Sequence, residues 1–214
     1  MIYSIATVAF LLVMVLSQII SFAYFHRVFQ KELTCTDLPP GSVVLALGFE
    51  HLGERNGVIR PGAANLALAH ALADCTERCS LVLTQKAVSD ALLQESLLPD
   101  GKLMGKVPVQ LMHPHQPGKP VRTLQALQLA LQELHPMPAA LVLMAHDKQI
   151  ERAAMDLRLL YHGTLMLWGR NNMPYAHPGF LQPLRWSIRE IGIARPLEGM
   201  QRMFMINKPN QEKI

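Results

Sequence analysis

The chain reads as an α/β protein: a three-layer α/β/α, Rossmann-like domain with a mainly parallel sheet of about five strands, preceded by one N-terminal transmembrane helix. Three features predict this. Short apolar runs alternate with helical patterns of roughly 10–15 residues, as expected of parallel strands joined by crossover helices. Residues 139–163 hold one complete strand–turn–helix unit. Residues 2–25 contain no charged side chain.

About 20 apolar residues cross the hydrocarbon of a bilayer, so residues 2–25, with Gln18 their one strongly polar side chain, are long enough to span it. Ser21-Phe22-Ala23 offers a processing site for a signal peptide, but no Lys or Arg precedes the run. A retained anchor is the preferred reading. Tyr24, Phe25 and Phe29, with His26, Arg27 and Lys31, form an interfacial collar. Arg27 and Lys31 follow the segment, which by the positive-inside rule puts the remaining domain in the cytoplasm.

Residues 35–41, with Pro39-Pro40-Gly41, read as a linker. A first strand over 43–47 ends at Gly48, and residues 49–60 read as a polar loop. Pro61 suits the first turn of a helix over 63–73. A second strand (81–84) leads into a helix near 88–97, and a third (107–112) into the loop His113–Pro120 and a helix over 122–134. In the 139–163 unit, residues 139–145 suit a strand buried on both faces. Ile150, Ala153, Ala154, Leu157 and Leu160 then make one helical stripe. Asp147 is placed to cap that helix, and Gly163 to end it in a left-handed conformation. A fifth strand (164–168), a loop and a helix near 181–193 follow. The boundaries are then an anchor and collar (1–31), a linker (32–41), an α/β domain (42–206) and a loose tail (207–214).

The net charge of +4 is carried by scattered Lys and Arg, which gives nucleic-acid binding no support. Cys35, Cys75 and Cys79 are an odd number without a recognised ligand spacing; free, partly buried thiols in a reducing compartment are expected.

In a parallel sheet the segments leaving the strands converge on one edge, where ligands bind beside helix N-termini. Here those segments carry Glu50, Lys86, Lys148 and Gln149 as candidate ligand-binding residues, with Thr123 and Arg152 added. His146 can move a proton near neutral pH and Asp147 stands beside it, the only catalytic candidates. Polar strand ends also arise simply from helix capping, and residue by residue that is the commoner cause. His51, His113, His115 and His146 lack metal-site spacing, so no metal is expected. No GxGxxG, P-loop or GxSxG signature occurs, and no cofactor is specified.

Over roughly residues 42–195 the chain resembles membrane-anchored α/β proteins of the SanA, ElyC and YdcF type, a domain-of-unknown-function family. Leu47-Gly48, Thr123, Arg152-Ala153 and the run Trp186-Ser187-Ile188-Arg189-Glu190 resemble that family's elements. Asn65-Leu66 stands where the family has Arg-Leu, Thr84-Gln85-Lys86 where it has Ser-Gly-Gly, and Gln149 where it has His. The resemblance implies a role in envelope, peptidoglycan or surface-polysaccharide processes and a nucleotide-type ligand. It also implies a periplasmic domain, opposite to the charge rule. Two functions are therefore expected in competition: an envelope-associated protein binding an anionic small molecule, or a non-catalytic, membrane-tethered scaffold.

Overall fold

A computed structural model of the chain describes residues 33–112 and 123–168, with Leu12, Met173 and Pro174. Leu12 apart, the apolar segment 2–25 and its collar, His113 and His115, and the tail helix expected near 181–193 lie outside them. Among the described residues no helix is long and apolar enough to cross a membrane.

Strand β1 (Ser42–Ala46) is buried at all five residues and lies at the middle of a six-stranded sheet. It pairs in parallel with β4 (Cys79–Thr84) on one side and β7 (Ala140–Met144) on the other, Val44 standing between Val82 and Val142. Outside β4 lies β6 (Val107–Leu111), also parallel. Outside β7 lies parallel β8 (Thr164–Trp168). The sixth strand, β5 (Leu103–Met104), is a two-residue antiparallel edge on β6 that the sequence reading of about five strands does not contain. The order β5-β6-β4-β1-β7-β8 means that the chain winds outward from β1 first in one direction and then in the other.

Successive strand residues point to opposite faces, and here the two sets feed two separate cores. Val44, Ala46, Val82, Val142 and Met144 pack with Leu68 and Leu72 of helix α1 (Ala63–Asp74) and with Val88 and Leu92 of α2 (Lys86–Gln94). Val43, Leu45, Leu83, Leu141 and Leu143 pack with Leu127 and Leu131 of α3 (Thr123–Gln132) and with Ile150, Ala153 and Leu157 of α4 (Asp147–Leu160). The described domain is thus a mixed α/β fold with a mainly parallel sheet and four helices, compatible with a Rossmann-like arrangement.

Residues expected as a polar loop form a hairpin instead, β2 (His51–Arg55) against β3 (Val58–Pro61). Its turn is Asn56-Gly57, at φ 52° and 75°, the left-handed pair that a two-residue hairpin turn needs. The hairpin is held to α2 by Asp90, whose Oδ2 accepts from the Ile59 N–H at 2.7 Å while Oδ1 pairs with the Lys86 ammonium. A depression of about 410 Å³ lies here, lined by residues including Leu52, Arg55, Val58, Arg60 and Gln94.

Two local expectations are corrected. His146, not Asp147, is the N-cap of α4, and Asp147 is its first helical residue. Gly163 is not left-handed: α4 ends at Leu160, and Tyr161 leaves it in an extended conformation. Glycine is needed at 163 for close approach, because a Cβ there would overlap the Tyr161 ring and sit 2.9 Å from the Ala139 carbonyl. The free-thiol expectation is corrected too. Cys35, in a 3₁₀ turn ahead of β1, is disulfide-bonded to Cys75 at the end of α1, with Cα atoms 5.1 Å apart and a separation of 40 in sequence.

Candidate functional site at the ends of β1 and β7

The reversal in winding falls between β1 and β7. Helices leave neighbouring strands there toward opposite faces, α1 packing on one side of the sheet and α4 on the other, the place where open α/β sheets commonly bind ligands. Pairing runs past the strands themselves: the Leu47 N–H donates to the Met144 carbonyl at 2.9 Å and the Gln85 N–H to that of Ala46 at 3.0 Å.

Beyond Leu47 the chain is fixed by side chains from two other segments. The Gly48 N–H donates to Gln85 Oε1 at 2.9 Å. Asn65, fully buried in α1, accepts from the Phe49 N–H at 2.9 Å and donates through Nδ2 to the carbonyls of Phe49 and Glu50, both at 2.6 Å. A Cβ on Gly48 would lie 3.0 Å from Ala87 Cβ and 3.6 Å from Asn65 Oδ1, so residues of both α1 and α2 crowd the chain at residue 48. Phe49, buried, stacks flat on the His146 ring with centroids 3.7 Å apart and planes 8° from parallel. The segments leaving β1 and β7 therefore touch through that pair.

His146 is fully buried, with Nδ1 2.6 Å from Asp147 Oδ1 and 3.2 Å from the Lys148 N–H. These two contacts need opposite protonation of Nδ1. The shorter one, to an ionised partner, is the stronger, so Nδ1–H donates to Asp147. The Lys148 N–H then bonds Asp147 Oδ1 at 2.9 Å. Burial pushes the Asp147 carboxyl up, but the hydrogen bond and charge of His146, followed by Lys148, outweigh it and hold the group below the usual carboxylate range.

Of the residues expected from sequence, His146, Asp147 and Lys148 are brought together, Lys148 half-exposed with Nζ 3.6 Å from Asp147 Oδ2. Gln149 is buried in the same turn, and its Oε1 has no hydrogen-bond partner among the described residues. Arg152 lies one turn further along α4, half-buried. Glu50 enters through its carbonyl, held by Asn65. Lys86 does not join this group; its ammonium is taken by Asp90 beneath the hairpin. Thr123 opens α3, half-buried.

The helix starts differ in what they offer. In α4 the Gln149 and Ile150 N–H groups bond the His146 carbonyl, and Lys148 N–H is satisfied by the His146–Asp147 pair. The N-caps of α1 and α2, Gly62 and Gln85, give no side-chain cap, so the first-turn amides of those two helices are left uncapped by them, close to Gly48. No cluster of three or more His, Cys, Asp or Glu suited to a metal ion occurs among the described residues.

Sequence reasoning missed Phe49, Asn65, Gln85 and Asp90. Asn65 stood out as a departure from the family resemblance, and a buried Asn inside an alanine- and leucine-rich helix is itself a signal, because its amide must find partners. The depression beside the hairpin shares no lining residue with this site, and the site's chemistry, not cavity size, marks it out. No family model, curated protein or solved structure matches the chain.

Proposed function

We propose that the protein is a membrane-anchored, cell-envelope-associated binding protein that holds an anionic small molecule, of nucleotide or sugar-phosphate type, at the carboxyl ends of β1 and β7. The observation that carries this reading is the junction itself. The winding reverses between those strands, and the Gly48–Glu50 segment there lies against the uncapped starts of two helices. Helix N-termini favour anions through their free amides and dipole. The Rossmann-like reading and the resemblance to the SanA, ElyC and YdcF type point the same way.

A second reading, the non-catalytic membrane-tethered scaffold, is favoured by one specific observation. Phe49 covers the His146 ring, and the start of α4 is already satisfied by its own side chains. In a turnover enzyme Phe49 would have to swing away before His146 reached a substrate.

Thermal melting of the full-length protein in detergent, with inorganic phosphate, nucleoside diphosphates and sugar phosphates, separates the two readings. Binding raises the melting temperature with at least one of them. Lys148→Ala and Arg152→Ala then reduce the shift, while Lys86→Ala, already engaged with Asp90, leaves it unchanged. No shift with any probe leaves the scaffold.

A further inference from the structure

Cys35 and Cys75 both belong to the apolar core beneath α1, Cys75 almost fully buried and Cys35 packed against that core. Their Cα separation of 5.1 Å lies inside the span that a disulfide bridges without backbone movement. Cys35 stands just after the collar residues Arg27 and Lys31, so the bridge ties the stretch that follows the apolar segment to the end of α1.

The third cysteine does not threaten the bridge. Cys79 Sγ donates to the Cys75 carbonyl at 3.2 Å, and burial pushes its thiol up to about 11. At neutral pH on the order of one Cys79 in ten thousand is then a thiolate, the form that attacks a disulfide. Reshuffling to a Cys75–Cys79 or Cys35–Cys79 pair is correspondingly slow.

Structural disulfides form and persist in oxidising compartments, whereas cytosolic thiols are kept reduced. We infer that this domain folds on the oxidising side of the membrane, and that a protein thiol–disulfide oxidant is its folding partner. Cys35 and Cys75 give up two protons and two electrons as their Sγ–Sγ bond forms. The partner's disulfide takes them up and leaves as two thiols. The orientation implied by Arg27 and Lys31 following the apolar segment is thereby reversed: residues 2–25 enter from the cytosolic side and the domain emerges beyond.

The test needs only the full chain in cells. Thiols are trapped with acid, the protein is denatured, and maleimide-polyethylene glycol adducts are counted on a gel. One adduct is expected without reductant and three with it, and Cys79→Ser lowers these to none and two. In cells lacking the compartment's thiol oxidant, three adducts are expected without reductant. Two or three adducts from the unmodified chain in normal cells overturn the compartment, and an adduct persisting in unreduced Cys79→Ser overturns the pairing. A single adduct in the oxidant-deficient cells overturns the partner.

Discussion

The segments that leave β7 and β1 meet at one place but are built in opposite ways. After β7 the chain satisfies itself within four residues: Asp147 pairs with His146, the N-cap residue of α4, and takes the Lys148 N–H, and the next amides fold back on the His146 carbonyl. After β1 nothing local suffices. Gly48 and Phe49 are held by Gln85 and Asn65, which lie 37 and 16 residues away in sequence, and the hairpin that follows is held by Asp90, 31 residues from Ile59. A turn built from its neighbours is robust and already satisfied. A turn held at a distance can be released, and it is the one that lies against uncapped helix starts.

The sharpest way to break this contrast is Asn65→Ala. Two buried backbone groups, the Phe49 N–H and carbonyl, and the part-buried Glu50 carbonyl lose the Asn65 amide together, and we expect a loss of roughly 3–5 kcal/mol by urea unfolding, at about 1–3 kcal/mol for each unsatisfied group less what water recovers. Next comes Asp90→Ala, which strands the Ile59 N–H and the half-buried Lys86 ammonium; about 2–3 kcal/mol is expected from the same measurement. In both variants hydrogen exchange should quicken in the β1 exit or the hairpin and stay unchanged in α4.

On the β7 side the effects are smaller. Asp147 is held below its ordinary range, so its contribution is present above the unfolded pKa of about 3.9 and fades as pH falls through the folded value. Asp147→Asn should therefore be less stable than the unmodified chain at pH 6 by about 1 kcal/mol, a difference that starts to shrink at about pH 4 and goes on shrinking as pH falls further, as read by denaturant melts across that range. Lys148→Ala, at an exposed ion pair 3.6 Å long, should change stability by no more than about 0.5 kcal/mol.

The same division explains what the sequence made legible. Strands β1, β4, β6, β7 and β8 and all four helices follow from apolar runs and helical stripes, since Val44, Leu143, Ile150 and Leu157 are buried because of their period and not because of any one partner. The site residues close in sequence, His146 to Gln149, were legible for that reason. Asn56-Gly57 is a strong hairpin signal, but the polar, mixed-charge residues around it hid two short strands, exposed at most of their positions. The Asn65 clamp, the Asp90–Ile59 hydrogen bond and the Cys35–Cys75 bridge depend on which distant segments the fold brings together. No spacing encodes them.

The central claim, that a ligand sits where β1 and β7 part, is tested most directly by hydrogen–deuterium exchange of the full chain with and without the nucleoside diphosphate or sugar phosphate that most raises its melting temperature. Protection confined to residues 47–50, 62–65 and 85–87, with residues 146–150 following and the hairpin tip at Asn56-Gly57 unaffected, is the result predicted. Protection centred on the hairpin depression, or spread evenly with none at 47–50, would contradict it.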